Sequence, residues 1–283
     1  MKLWIPGKQG LLGSTLTALA PCPVIGTARQ EVDISQLDQV RAFVTKHPDI
    51  THIVNCAAMS MVDDAEQHPS AAWRANVTGP ENLAHIALEK GIKLIHISTD
   101  YVFSGTTREP LKETDPTVPC NIYGQSKLEG ERRVLNSLPS SLVLRVSWLF
   151  GDGGKNLVAK LWNLFATEEE VRLINDQYGR PTYCPDLCQA IFQMLGHEGI
   201  CHFANQGVAT KYQFGTLFLE EAKRQGFPLR TMRIRAARST DFPMRCERPV
   251  YTAFDTHKIE SALSIQIRPW QEALREYVRE KRQ

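Results

Sequence analysis

A glycine-spaced turn directly behind a short apolar run constrains this chain more than any other feature. Lys2-Leu3-Trp4-Ile5 reads as a strand, and Gly7, Gly10 and Gly13 follow it in the spacing G-x-x-G-x-x-G. Leu12, Leu16 and Leu19 then recur at helical spacing. A strand feeding a helix through such a turn opens a βαβ unit. Glycines there permit a tight turn and close backbone approach to a pyrophosphate, while the helix N-terminus faces the negative charge. The spacing differs from G-x-G-x-x-G, so the flanking strand and helix carry the reading. Gly7, Gly10, Leu11, Leu12 and Gly13 are the candidate dinucleotide contacts, against the simpler reading of a plain βα turn.

The same rhythm runs on through residue 150. Strands are expected at 23–28, 52–55, 93–98 and 142–146, and helices at 35–46 (with Ser35 as N-cap), 71–89 and 122–136. Alternating strands and helices imply a parallel sheet covered on both faces. The expected fold is therefore α/β: a doubly wound parallel sheet of Rossmann type over residues 1–150, with a smaller C-terminal substrate-binding lobe over 151–283. In that second part, helices carrying Leu157, Leu161 and Leu164 and spanning about 186–196 flank a strand at 171–174. The helix at 186–196 is expected to return to the main sheet. Pro269 starts a final amphipathic helix with Trp270, Leu274, Tyr277 and Val278 on one face.

Composition narrows the partners. With 33 Lys+Arg against 31 Asp+Glu the net charge is +2, which gives no reason to expect nucleic acid or a membrane surface. No apolar run approaches the ~20 residues of a membrane span, and little chain precedes the glycine motif to form a signal peptide. Seven cysteines without a C-x-x-C pair do not suggest a disulfide framework or a zinc site. A cytoplasmic monomer or homodimer is the expectation.

The second strand ends Thr27-Ala28-Arg29, with no carboxylate before Glu31. A carboxylate at that point would favour NADH, whereas a guanidinium can fork onto the 2′-phosphate of NADPH. Arg29 therefore points to NADPH, with NADH also admissible; the bland reading is a solvated surface arginine. Lys8 could add positive charge near the same phosphates.

Tyr123 and Lys127 stand at i and i+4 and share one helix face. A phenol with a pKa of about 10 works poorly at neutral pH unless an ammonium nearby stabilises its anion. Thr99, at the end of the fourth strand, would offer a hydroxyl at the carboxyl edge of the sheet, where open α/β folds bind ligands. Separately, each has an ordinary structural explanation, a helix surface pair or a strand-end cap. Together they read as a general acid–base site.

At these residues the chain resembles the extended short-chain dehydrogenase/reductases, and among them the dTDP-4-dehydrorhamnose reductase family. The matching segments are 7–13, 32–35, 54–58, 98–105, 123–131, 145–148, 175–182 and Glu247-Arg248-Pro249, in family order over nearly the whole chain. The resemblance implies that Tyr123 protonates the C4 carbonyl oxygen, that Lys127 binds the nicotinamide ribose, and that Thr99 hydrogen-bonds the carbonyl. It implies substrate contacts at Asp100 and Trp148 and adenine contacts at Asp33 and Ile34. It also places Ala58, Met59 and Ser60 in the loop under the cofactor. Of the seven arginines between Arg224 and Arg248, Arg248 in the Arg-Pro motif is the one retained as a nucleotide-sugar contact. Two methionines, Met59 and Met61, and the Val250-Tyr251-Thr252 segment depart from the family pattern.

The implied activity is NADPH-preferring reduction of a dTDP-linked 4-keto-6-deoxyhexose to dTDP-L-rhamnose. The rivals are a reductase or dehydrogenase of another nucleotide 4-keto-6-deoxysugar and a non-catalytic dinucleotide-binding regulatory chain of the same fold. No catalytic metal is expected, because hydride transfer to a ketone needs an acid and a positioned nicotinamide.

Overall fold

Apolar runs buried on both faces have no solvent side toward which to alternate, and those at 3–6, 52–55, 93–99 and 142–146 become central strands, while 24–27 forms an edge. The computed structural model describes residues 1–154 and 156–282. It contains β1 (Leu3–Pro6), α1 (Leu11–Leu19), β2 (Val24–Thr27), α2 (Leu37–Lys46), β3 (His52–Asn55), α3 (Val62–Gln67), α4 (Pro69–Trp73), α5 (Gly79–Lys90), β4 (Lys93–Thr99), α6 (Ile122–Ser137) and β5 (Leu142–Val146). Then follow β6 (Leu149–Phe150), α7 (Leu157–Thr167), β7 (Glu170–Ile174), β8 (Tyr178–Gly179), β9 (Thr182–Tyr183), α8 (Cys184–Gln193), β10 (Gly199–Phe203), β11 (Ala209–Thr210), α9 (Lys211–Arg224), β12 (Arg233–Ala237), α10 (His257–Leu263) and α11 (Trp270–Glu280).

The main sheet is six-stranded and parallel, in the order β10-β5-β4-β3-β1-β2. The order reverses between β1 and β3, which opens a crevice at their carboxyl ends. Helices α1 and α8 cover one face with Leu12, Leu16, Leu187 and Ile191. On the other face, α2 and α5 contribute Val40, Val44, Leu83 and Ile86. A separate aromatic core joins Phe150, Phe165, Tyr183, Phe214, Phe218 and Tyr277. The two-stranded pairs β7–β12, β8–β11 and β6–β9 lie in this second half.

Three local expectations change. Helix α2 begins at Leu37 with Gln36, not Ser35, at the N-cap. The Ser35 N–H and hydroxyl both donate to Asp33 Oδ1, so the serine serves the turn before the helix. The single helix expected over 71–89 is instead α4, a π-helical turn at Arg74–Thr78 and α5. In that turn the buried Asn76 side chain donates to the Ser126 hydroxyl and to the Met59 carbonyl, and it accepts from the Met59 N–H. Such bulges often sit at functional sites. The sixth strand, β10, lies outside the sequence reading. Its five residues include His202 and carry no clear periodicity, and only pairing with β5 makes them a strand.

Candidate active site

The carboxyl ends of β1, β3, β4 and β5 open onto one cleft of about 670 Å³. Gly10, Ala58, Thr99, Tyr123, Lys127 and Trp148 all line it, although they come from five separated segments of the chain. Among the described residues no helix is long and apolar enough to cross a membrane.

The glycine turn is built as a cradle. Gly7 has φ +87°, and a Cβ there would come within 2.7 Å of the Ala57 backbone. A Cβ on Gly13 would lie 2.2 Å from the Gly7 carbonyl, so α1 can approach the turn only with glycine at that point. The α1 N-cap, Gly10, offers no side-chain cap, and the first turn holds no acidic residue. Free N–H groups at a helix start, without a competing carboxylate, suit an anionic pyrophosphate. Leu11, Leu12, Ala58 and Ser60 line the same cleft.

At the end of β2 the two cations are paired. Arg29 Nε donates to Asp33 Oδ2 at 3.2 Å, and its side chain is largely exposed. Lys8 Nζ donates to Glu31, whose other oxygen accepts from the Ala28 N–H at 2.6 Å. Ile34 turns its side chain into the core, where it packs against Gly79, and its carbonyl accepts from Asn82. Its side chain is therefore closed to an adenine. Met59 is held through its backbone by Asn76 and does not line the cleft.

Tyr123 reaches Thr99 through two local devices. Asn121 caps α6, accepting from the Gly124 N–H at 2.9 Å and donating to the Glu247 carbonyl at 2.9 Å. Gly124 lets the helix press onto the turn after β4, where a Cβ would meet the Tyr101 carbonyl at 2.2 Å. Burial pushes the Tyr123 phenol up to about 12, opposed mainly by the Thr99 hydroxyl beside it. Burial also brings Lys127 down to about 8. The expectation that Lys127 depresses the Tyr123 pKa is corrected here. The Lys127 amine is turned onto β4, donating to the Ile97 carbonyl at 2.7 Å, and desolvation governs the phenol. A phenol in this state stays protonated near neutrality, which is the form a proton donor needs.

Asp100 is buried beside this pair, accepting from Thr252 at 2.6 Å and from Thr99 at 3.1 Å. Burial raises its carboxyl to about 6. Trp148 lies in the left-handed region at φ +44°, strained for a bulky residue, with its ring against Gly179. The strained turn directs the indole to the cleft rather than to the core. Arg248 does not line the cleft. Its guanidinium donates to Asp63 at 2.9 Å, and the neighbouring Pro249 and Thr252 line the cleft instead.

Sequence reasoning missed Lys211, Gln177 and Asn156 on the cleft wall. Lys211 Nζ sits 5.8 Å from the centre of the Trp148 ring, and burial lowers its pKa to about 8. No local motif marks Lys211 or Asn156, and Gln177 falls in the family-like segment 175–182 without a role attached to it; all three reach the cleft through folding of the second half.

Residues 1–283 match the family model described as the RmlD substrate binding domain. The dTDP-4-dehydrorhamnose reductase of Aggregatibacter actinomycetemcomitans is 34% identical over 287 residues, covering 97% of each chain. The dTDP-4-keto-6-deoxy-D-glucose reductase of Streptomyces niveus is 39% identical over 219 residues, covering 75% of this chain and 76% of its own. The crystal structure of dTDP-4-dehydrorhamnose reductase from Bacillus anthracis in complex with NADP superposes with a TM-score of 0.93 at 29% identity, covering 99% of both chains. With the glycine cradle, the Thr99–Tyr123–Lys127 cluster and full-length matches of this kind, the chain belongs to the dTDP-4-dehydrorhamnose reductase family of Rossmann-fold extended short-chain dehydrogenase/reductases.

Proposed function

We propose that the protein is an NADPH-preferring reductase of dTDP-4-dehydrorhamnose that forms dTDP-L-rhamnose. The observation that carries this reading is the convergence of Thr99, Tyr123 and Lys127 in the cleft that also holds the glycine cradle. NADPH supplies the hydride to C4 of the sugar. Tyr123 gives its phenolic proton to the C4 oxygen, so the ketone gains a hydride and a proton and leaves as an alcohol. Thr99 has one hydroxyl proton, now directed at Asp100, and must turn it to the carbonyl to orient the substrate. Lys127 binds the nicotinamide ribose. Gly7, Gly10 and Gly13 let the backbone approach the pyrophosphate. Asp33 and the Ile34 backbone lie toward the adenine, and the loop of Ala58, Met59 and Ser60 runs beneath the cofactor. Asp100 contacts the sugar, and Arg248 would have to leave Asp63, which now holds it outside the cleft, to reach the nucleotide-sugar. The protein is proposed to work as a monomer or homodimer in the cytoplasm.

The second reading, reduction of a different dTDP-linked 4-keto-6-deoxysugar, is favoured by the identity to the Streptomyces niveus enzyme and by the two methionines of the 58–63 loop. Initial rates with NADPH and a panel of 4-keto nucleotide sugars separate the two. Fastest turnover of another sugar would replace the first reading by the second, and no turnover of any would favour a regulatory chain.

Two variants probe the assignments. Arg29→Ala should weaken NADPH roughly tenfold more than NADH, the scale of one charge-assisted contact. The phosphate would displace Asp33 from the guanidinium, so the gain is net of that pairing. Equal losses for both cofactors in a fluorescence titration would show that Arg29 does not read the 2′-phosphate. Trp148→Ala should raise the KM for the keto sugar while cofactor affinity and melting temperature stay near wild type, because the indole forms an apolar wall for the sugar's methyl and ring face. A core tryptophan would instead cost about 3–5 kcal/mol on truncation, so a large drop in Tm with an unchanged KM would overturn the assignment.

A further inference from the structure

Behind the cleft lies a line of buried side chains that the chemistry above does not use. Asn55 ends β3 and pairs in register with His96 of β4. Both are buried, and His96 is fully so. The Asn55 amide is oriented from outside the pair, because its Oδ1 accepts from the Ala57 N–H at 3.1 Å. Its Nδ2 hydrogens therefore face His96 Nδ1 at 3.1 Å, and that ring nitrogen has to be the acceptor. Burial keeps the imidazole neutral, and a neutral imidazole carries one N–H. The proton then resides on Nε2.

His96 Nε2 faces Lys127 Nζ at 3.4 Å. An ammonium in that position meets a second donor, whereas a neutral amine accepts the N–H. Of the titratable groups on the packed elements, Glu131 of α6 and Cys56 beyond β3 also face Lys127. Glu131 is committed to Arg145 and Ser98. The Cys56 thiol is pushed up by burial and stays neutral. Asp100 is turned to Thr99 and Thr252 instead. The imidazole is thus the neighbour whose hydrogen-bond polarity can decide the state of the amine.

We propose that His96 is a positioning residue for the reductase: locked by Asn55 with its proton on Nε2, it presents an N–H to Lys127 and biases that lysine toward the neutral amine. The bearing on catalysis rests on the roles proposed above for Tyr123 and Lys127, while the tautomer does not. Its consequence is that Lys127 changes protonation near neutral pH, where a solvated lysine would remain charged.

The first test is the ring-nitrogen chemical shifts of His96 in the 15N-labelled full chain. A bare Nδ1 and a protonated Nε2 are expected; a proton on Nδ1, or a cationic ring, overturns the proposal. The second test is Asn55→Asp, which keeps an acceptor for Ala57 and offers a second oxygen to an Nδ1–H. The tautomer should swap, and the Lys127 midpoint, read from its 13Cε shift, should rise by roughly one unit. In a His96→Leu background the same change acts only through space, and its effect should fall to less than half. Equal shifts with and without the imidazole would overturn the proposal even if the variants fold normally. The alkaline limb of kcat/KM should follow the midpoint. Lack of turnover of every keto sugar would sink the functional reading and leave the measured tautomer standing.

Discussion

Tyr123→Phe should lower turnover by roughly 10²–10⁴-fold, the usual contribution of a positioned acid, while NADPH still binds. The variant removes one hydroxyl from a ring that otherwise keeps its edge-on contact with Tyr101 at 5.5 Å. Because burial holds the phenol at about 12, it is protonated throughout the neutral range and its loss removes the donor, not merely a hydrogen bond. Steady-state rates, a cofactor titration and a thermal melt on the same preparation separate loss of chemistry from loss of fold. Turnover close to wild type would mean that the proton comes from another group.

Arg145→Met should bring the largest loss of stability, about 3–5 kcal/mol, because it strands a buried carboxylate. Arg145 Nε and Nη2 donate to the two oxygens of Glu131 at 2.9 and 2.7 Å, with both side chains no more than 3% exposed. Arg145 also lies over the Phe103 ring and beside His202, so it ties β5, α6 and β10 together. Replacing both partners, as in Arg145→Met with Glu131→Leu, should recover much of the loss, since two apolar groups leave no buried charge. Urea denaturation of the single and double variants measures both effects. A single variant within 1 kcal/mol of wild type would show that water or another cation replaces the guanidinium.

Much of the first half was legible because its signals are local. Gly7 and Gly13 are dictated by backbone approaches that no other residue tolerates. Tyr123 and Lys127 share a helix face by spacing alone, and short apolar runs between helical patterns fold as strands of a parallel sheet. Other elements were illegible because their cause lies elsewhere in the chain. The π-helical turn at Arg74–Thr78 exists where Asn76 bonds the Met59 backbone and Ser126. Arg248, retained from a motif, is occupied by Asp63, which stands 185 residues earlier. Lys211 carries no motif, yet it completes the cleft wall beside Trp148.

Sequence by itself determined the doubly wound architecture, the dinucleotide cradle and the family, since periodicity, glycine spacing and residue types act over a few neighbours. Only the tertiary structure decided the electrostatic state of the site. Burial raised Tyr123 and lowered Lys127, and the Asn55 amide set the polarity that Lys127 meets at His96. Desolvation and hydrogen-bond direction depend on what surrounds a group in three dimensions, and those surroundings come from strands far apart in the chain.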